Sequence, residues 1–175
     1  MPQKHFDLIV IGSGPAGEKT AAKAAYFGKK VALIEKARKV GGAGINTGTV
    51  PSKTLKETAI YYSGKYEKGL YGMEKVLKQQ TSIEQFMHRK NTVLSTLESE
   101  VRTNILRHQI TMFQGTATFE TDHQIRILGH KEEVVSADFI LIASGSYPFH
   151  PDNIPFDFDR VHDSDSILSL KRFPH

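Results

Sequence analysis

The hydrophobic positions at the start of the chain predict a unit of strand, helix and strand. Residues 6–11, FDLIVI, form an apolar run rich in β-branched side chains, which is typical of a strand buried on both faces. Helix-forming residues follow as far as Gly28, a residue type that commonly ends helices. Residues 30–35, KVALIE, form a second buried strand. We therefore expect a right-handed βαβ unit at this end of the chain.

The middle of the chain changes from irregular to helical spacing. Residues 40–50 include four glycines, which predicts a loop with unusual backbone angles. Pro51 suits the first turn of a helix, and this helix is expected to run to Gly64. From Ser82 to Arg107 the apolar residues recur at spacings of three, four and seven, so we expect a long helix whose apolar stripe packs against the core.

The last third of the chain has the spacing of strands. Residues 110–136 contain short runs of strand-forming residues between polar turns, which predicts a small antiparallel sheet. Residues 138–143, DFILIA, are the most apolar of these runs and are expected to join the parallel sheet of the βαβ unit. From Tyr147 onwards the chain holds four of its seven prolines, which favours a connecting segment.

This order of elements predicts an α/β fold. We expect a three-layer domain with a parallel sheet and a small antiparallel meander. Residues 1–150 are expected to form the domain, and residues 151–175 a connector.

Composition and charge narrow the range of partners. The chain is 39% hydrophobic and 24% charged, as in ordinary globular proteins, and no apolar run approaches the roughly 20 residues that span a bilayer. Its net charge of +4 comes from scattered lysines without the aromatic residues typical of a nucleic-acid surface. We therefore expect neither a membrane nor a nucleic-acid partner. The absence of cysteine is compatible with a reducing cytosol, and the N-terminus lacks the features of a signal peptide, so a cytoplasmic location is expected.

A glycine-rich turn lies where the first strand meets its helix. Gly12, Gly14 and Gly17 follow the pattern G-x-G-x-x-G, and Glu35 ends the second strand. In such a turn the first glycine permits a tight bend, the second lets the backbone approach a pyrophosphate, and the third lets helix and strand pack closely. The helix N-terminus offers free N–H groups to the phosphates, and Glu35 can accept both hydroxyls of a ribose. The pattern predicts a dinucleotide site without choosing between NAD and FAD.

The segment after Glu35 resembles the active-site loop of the pyridine nucleotide-disulfide oxidoreductase family. That loop has the pattern GG-x-C-x-N-x-G-C-x-PSK, and the residues that match it are Gly41, Gly42, Asn46, Gly48, Pro51, Ser52 and Lys53. The resemblance extends to residues 115–117, to ASGS at residues 143–146 and to residues 163–168, so it covers essentially the whole chain.

The resemblance implies the cofactor and the residues that contact it. It implies FAD as the bound cofactor, with NAD(P) bound by a further domain, and no metal. Lys53 is the implied catalytic residue, close to flavin N5, where it would stabilise negative charge on reduced flavin. The residues expected to bind the cofactor are Gly12, Gly14, Pro15, Ala16, Gly17, Glu35, Lys36, Gly41, Gly42, Ala43, Gly48, Thr49, Lys53, Thr116, Ala117, Ala143, Ser144 and Gly145.

Two positions depart from the family pattern. Gly44 and Thr49 stand where the family carries its redox cysteines, so dithiol chemistry is excluded for this sequence. The segment GTVPSK, which contains Thr49, most resembles the corresponding segment of the soluble pyridine nucleotide transhydrogenases. These enzymes usually keep a cysteine at the position of Gly44.

The resemblance also implies segments beyond residue 175. An NAD(P)-binding domain, the remainder of the FAD domain and a dimerisation domain are expected to follow, and the full-length protein is expected to be a homodimer. We therefore expect these 175 residues alone to bind flavin poorly and to lack activity.

Three functions fit these expectations. The first is an FAD-dependent oxidoreductase that moves hydride between NAD(P)H and an acceptor, most simply of transhydrogenase type. The second is a diaphorase or quinone reductase. The third is a module that binds FAD without catalysis.

Overall fold

The computed structural model describes residues 4–64 and 81–173. They belong to two compact units. The first, which we call the sheet unit, comprises Met1–Gly44 and Leu97–Ser146. The second unit comprises Ile45–Thr96 and Tyr147–His175.

The six strands described lie in one sheet within the sheet unit. They are β1 (Lys4–Ile11), β2 (Val31–Glu35), β3 (Thr111–Gln114), β4 (Thr116–Thr121), β5 (Gln124–Leu128) and β6 (Glu132–Ile142). Their order is β3-β2-β1-β6-β5-β4. The pairs β3–β2, β2–β1 and β1–β6 are parallel, whereas β6–β5 and β5–β4 are antiparallel. The expected fold class, a parallel sheet with an antiparallel meander, is confirmed.

The prediction that residues 110–136 form only an antiparallel sheet was wrong for β3. This strand pairs in parallel with β2, with Ile34 opposite Phe113. The reason is that β3 follows a long helix, and a helical crossover returns the chain parallel to its neighbour. Gly115, which donates its N–H to the Glu35 carbonyl at 2.9 Å, separates β3 from the meander.

The long strand β6 joins the two parts of the sheet. Residues 132–136 pair antiparallel with β5, and residues from Val135 to Ile142 pair in parallel with β1. Val10 lies opposite Leu141, which places the strand expected at residues 138–143 in the same sheet as the first strand.

The helices described agree with the sequence pattern except around residue 45. They are α1 (Pro15–Tyr26), α2 (Gly42–Asn46), α3 (Thr49–Tyr62) and α4 (Ile83–Arg107), and a 3₁₀ helix covers Ser166–Ser169. The prediction of a continuous loop over residues 40–50 was wrong, because α2 forms there. Glycine discourages helices, and this helix of five residues is too short for a periodic signal. Pro51 lies in the first turn of α3, as expected, although α3 begins at Thr49. None of the helices in the described ranges is apolar over a length that could cross a bilayer.

The core has two sides because side chains alternate along each strand. In β2, Ala32 and Ile34 pack on one side with residues of the meander such as Ile125. Val31 and Leu33 pack on the other side with residues of α1 and α4. The sheet unit therefore has three layers, which are the meander, the parallel sheet and the helices.

Two carboxylates organise the last segment of the second unit. Asp157 accepts hydrogen bonds from the backbone N–H groups of Asp159, Arg160 and Val161 at 2.8–2.9 Å. These bonds, led by that of Val161, lower the pKa of Asp157 from its ordinary value to about 2. Asp163 accepts hydrogen bonds from the Ser166 N–H group at 2.6 Å and from His150, and the pKa of Asp163 is also lowered.

Acid is expected to loosen this segment. Because the folded-state pKa of Asp157 is depressed, its stabilising effect is complete above the unfolded value near 3.9 and is lost as the pH falls through about 2. The amide shifts of Arg160 and Val161, followed by NMR, should titrate with a midpoint well below 3.9. An Asp157→Asn variant provides the control, since these shifts should not titrate with residue 157 there. A midpoint at or above 3.9 would contradict the assignment.

Candidate functional site

Most of the predicted cofactor-binding residues lie at the carboxyl edge of the parallel sheet. The strands β1, β2 and β6 run in parallel and end there. Gly12 donates its N–H to the Ile34 carbonyl at 2.8 Å, and Ala143 donates its N–H to the Ile11 carbonyl at 2.8 Å. Ligands of open α/β sheets bind outside the carboxyl ends of the strands. The sheet thus brings the glycine-rich turn and residues 143–145 together at the edge where a ligand is expected.

Two of the three motif glycines are required by packing. Gly12 has a φ of +105°, and a Cβ added there would lie 2.3 Å from the Ala143 carbonyl oxygen. A Cβ on Gly17 would lie 1.9 Å from the Gly12 carbonyl oxygen. Both contacts are with backbone atoms that cannot rotate away. These glycines fit the roles of a tight turn and a close helix–strand contact.

Gly14 has no such packing reason to be glycine. Its φ of −64° suits any residue, and the nearest atom to an added Cβ is Gly42 Cα at 3.8 Å, an ordinary contact. An alanine would therefore fit the structure. In glycine-rich turns of dinucleotide-binding folds, the absence of a Cβ at this second glycine lets the backbone approach a pyrophosphate.

The N-terminus of α1 begins directly at this space. Gly14 occupies the N-cap position, and no side chain in the described part of the molecule caps the helix. Glu18 donates the first helical hydrogen bond, to the Gly14 carbonyl at 2.9 Å, so the N–H groups of Ala16 and Gly17 have no acceptor within the helix. Free N–H groups and the helix dipole together favour an anion at this end.

Glu35 is buried and held by the glycine-rich turn. Ser13 donates two hydrogen bonds to Glu35 Oε2, from its backbone N–H at 2.9 Å and from its hydroxyl at 2.6 Å. The Ala37 N–H group donates to Glu35 Oε1 at 2.8 Å. The residue is 7% exposed. The carboxylate therefore has a fixed orientation beside the turn, and Oε1 retains capacity for a ligand hydroxyl.

The paired glycines of the following loop pack against the same turn. Gly41 donates its N–H to the Ser13 carbonyl at 3.1 Å. Gly42 has a φ of +58°, and an added Cβ would lie 2.6 Å from Gly14 Cα. Glycine at position 42 thus allows the loop to touch the backbone of the glycine-rich turn. Ala43 follows in α2 and is exposed.

Position 44, where the family has a redox cysteine, lies against Pro15. A Cβ on Gly44 would lie 3.1 Å from Pro15 Cγ, so a side chain at this position requires the proline ring to yield by a few tenths of an ångström. The chain contains no cysteine, and no thiol chemistry occurs within these 175 residues.

Residues 115–117 lie beside the end of β2, where Gly115 donates its N–H to the Glu35 carbonyl. Gly115 is buried, Ala117 is half-buried and Thr116 is exposed. The side-chain amide nitrogen of Gln114, with its two N–H groups, lies within hydrogen-bond distance of the Glu35, Lys36 and Ala37 carbonyl oxygens, at 3.0, 3.1 and 2.8 Å, respectively. This amide fixes the bend that follows Glu35, although the Lys36 side chain itself is exposed.

The remaining predicted residues divide between exposed positions of the sheet unit and the second unit. Pro15, Ala16, Ser144 and Gly145 are exposed at the carboxyl edge. Gly48, Thr49 and Lys53 belong to the second unit, where Gly48 is the N-cap of α3 and Lys53 is an exposed residue near its start.

Sequence reasoning missed Ser13 and Gln114. Ser13 occupies a variable position of the glycine motif, and its proximity to Glu35 appears only when β1 and β2 are paired. Gln114 lies within a run of predicted strand residues, and its role depends on the parallel pairing of β3 that the sequence pattern did not predict. No group of side chains in the described ranges has the composition of a metal site.

The fold and the edge geometry define an α/β domain of the dinucleotide-binding class. A family model described as pyridine nucleotide-disulphide oxidoreductase matches residues 6–174, so the chain belongs to that family. It is 37% identical over 174 residues to the soluble pyridine nucleotide transhydrogenase of Mycobacterium bovis, a match that covers 98% of this chain and 37% of the relative. It is 39% identical over 173 residues to the soluble pyridine nucleotide transhydrogenase of Vibrio atlanticus, covering 97% of this chain and 37% of the relative.

A solved structure shows the same fold. The HOCl-induced flavoprotein disulfide reductase RclA from Escherichia coli, in its Cu(II) complex, superposes with a TM-score of 0.79 at 28% identity. That match covers 98% of this chain and 35% of the other. The chain thus spans little more than a third of the length of the relatives that it matches.

Proposed function

We propose that the sheet unit binds the ADP half of FAD. The observation that carries this proposal is Gly14, a glycine that the protein's own packing does not require. It lies at an uncapped helix N-terminus, beside a buried carboxylate that can accept a ribose hydroxyl. The pyrophosphate of an ADP group explains the glycine and the free N–H groups, and its ribose explains the position of Glu35.

The residues suited to hold the cofactor follow from the geometry of this edge. The N–H groups of Ala16 and Gly17 would bind the pyrophosphate, and Glu35 Oε1 would accept a ribose hydroxyl. Residues 41–43, 115–117 and 143–145 would line the site, and Lys36 would lie at its rim. When bound, FAD supplies the redox centre that accepts and returns a hydride, and the protein supplies position and electric field.

Lys53 is proposed to act on the flavin. Support comes from the PSK segment of the family loop and from the position of Lys53 near the start of α3. A cation there would stabilise negative charge on reduced flavin, and the helix N-terminus would add to this effect. Gly48 and Thr49 would contribute to the same part of the cofactor site.

The proposed activity of the full-length protein is hydride transfer between NAD(P)H and an acceptor through FAD, of transhydrogenase type. The matches to soluble pyridine nucleotide transhydrogenases support this activity, as does Thr49 in place of a redox cysteine. In this proposal residues 1–150 form part of an FAD-binding domain and residues 151–175 lead to an NAD(P)-binding domain. The full-length protein is proposed to be a cytoplasmic homodimer.

A single set of assays distinguishes two other candidate functions from transhydrogenase activity. A diaphorase or quinone reductase would use the same FAD site without returning hydride to a nucleotide, and a binding module would hold FAD without turnover. The full-length protein should reduce thio-NAD with NADPH if it is a transhydrogenase. Reduction of a quinone or dye alone would favour the diaphorase, and bound FAD without either reaction would favour the module.

Removal of the Glu35 carboxylate is expected to weaken nucleotide binding. Loss of a charged hydrogen bond to the ribose should reduce the binding free energy of ADP by about 1–3 kcal/mol in Glu35→Ala. The dissociation constant can be measured by NMR titration of the chain. Glu133→Ala, which removes an exposed carboxylate paired with Lys4, should leave the affinity unchanged. Equal affinity of Glu35→Ala and the unmodified chain would reject the ribose contact.

A further inference from the structure

The structure assigns Ser13 as a positioning residue that determines how Glu35 binds the hydroxyl groups of the ribose. This inference rests on the proposed function, because it concerns the same carboxylate and the same ligand. Ser13 is fully buried. It lies between Gly12 and Gly14, so its backbone is part of the glycine-rich turn, and its side chain contacts the Glu35 carboxylate.

The direction of the Ser13 hydroxyl group is fixed by its two neighbours. The Gly41 N–H group points at Ser13 Oγ from 3.2 Å and can only donate. Glu35 Oε2 lies 2.6 Å from the same oxygen, and an ionised carboxylate can only accept. The hydroxyl proton therefore points to Glu35. Ser13 thus connects the glycine-rich turn with the Glu35 carboxylate and with the loop that contains Gly41.

This arrangement uses the two carboxylate oxygens unequally. A carboxylate oxygen has about two acceptor positions, and Glu35 Oε2 already accepts both the N–H and the O–H of Ser13. Glu35 Oε1 accepts one bond, from the Ala37 N–H group. One acceptor position thus remains, on Oε1. We infer that Glu35 accepts one ribose hydroxyl strongly instead of sharing its two oxygens equally between both hydroxyls.

The carboxylate is also unable to turn toward a second hydroxyl. Any rotation of the side chain would break the charge-assisted bond from the buried Ser13 hydroxyl. With alanine at position 13, Oε2 would regain an acceptor position, and the carboxylate could contact both hydroxyls. Ser13 therefore sets the discrimination between the 2′ and 3′ hydroxyls, beyond any effect on stability.

The test compares three nucleotides on two proteins. ADP, 2′-deoxy-ADP and 3′-deoxy-ADP are titrated into the unmodified chain and into Ser13→Ala, and dissociation constants are taken from NMR shifts. In the unmodified chain one deoxy analogue should bind about tenfold more weakly than ADP, and the other within about twofold. In Ser13→Ala the two analogues should bind within about twofold of each other.

The outcomes separate the inference from the function on which it rests. If Ser13 has only a structural role, Ser13→Ala would weaken the binding of all three nucleotides by the same factor. The ratio of the dissociation constants of the two deoxy analogues would then stay unchanged, which would overturn the inference. Equal binding of both analogues to the unmodified chain would also overturn it. No binding of ADP to the unmodified chain would instead refute the proposed function. Thr20→Val, which removes an exposed hydroxyl of α1 bonded to the Ala16 carbonyl, should not change the ratio.

Discussion

Gly14→Ala is expected to abolish nucleotide binding while the stability of the fold stays within about 1 kcal/mol of the unmodified chain. Stability should hold because the φ of Gly14 suits alanine and an added Cβ meets only Gly42 Cα at 3.8 Å. The gain from a less flexible unfolded chain and the loss of a favoured N-cap residue offset each other. Binding should fail because the methyl group occupies the approach to the backbone, and a loss of about 2.7 kcal/mol already means a hundredfold weaker affinity.

The measurement for Gly14→Ala pairs thermal unfolding with an ADP titration. Gly28→Ala serves as the control, because the opposite result is expected for it: lower stability with unchanged binding. Gly28 has a φ of +77° at the end of α1, with open space around it, so alanine there should cost about 1–2 kcal/mol of stability and leave binding unchanged. If Gly14→Ala binds ADP as well as the unmodified chain, the space beside Gly14 is not a phosphate site.

Gly17→Ala is expected to have the largest effect on stability. Its Cβ would lie 1.9 Å from the Gly12 carbonyl oxygen and 3.0 Å from the carbon of the same group, so helix α1 could not remain against β1. We expect a loss of more than about 4 kcal/mol, which is exceptional for one substitution. For a chain of this size that loss lowers the melting temperature by roughly 8–16 °C or prevents folding.

Circular dichroism during heating tests the Gly17→Ala expectation. The comparison with Gly28→Ala separates a collision from the general effect of replacing a glycine, since Gly28 has a positive φ and no neighbour within 4 Å. A melting temperature for Gly17→Ala as high as that of Gly28→Ala would contradict the close contact between α1 and β1.

The sequence predicted the elements of the sheet unit well because their patterns are local. Val10, Leu33 and Leu141 each lie in an apolar run that reads as a buried strand, and these runs became β1, β2 and β6. The partner of a short strand is not a local property. Thr111–Gln114 has a strand pattern, but its parallel pairing with β2 follows from the crossover through α4.

The sequence predicted those site positions at which the backbone requires glycine. It did not predict the positions at which one side chain orients another. Gly12 and Gly17 occur at motif spacing because the turn needs them, so the spacing alone located the edge. Ser13 occupies a position that the motif leaves open, and its two bonds to Glu35 join the turn after β1 to the end of β2. Helix α2 was missed because three of the seven residues from Gly42 to Gly48 are glycines, which indicate a loop in the absence of tertiary contacts.

The most direct test of the proposed cofactor site is an amide-resolved NMR titration of the unmodified chain with ADP. If the carboxyl edge of the sheet binds the ADP half of FAD, saturable shifts should concentrate in residues 12–17 and in the backbone around Glu35 and Gly41. The meander residues 118–126 should remain unchanged. Saturable shifts centred on the meander, or no saturable shift at the glycine-rich turn, would contradict the proposed dinucleotide site.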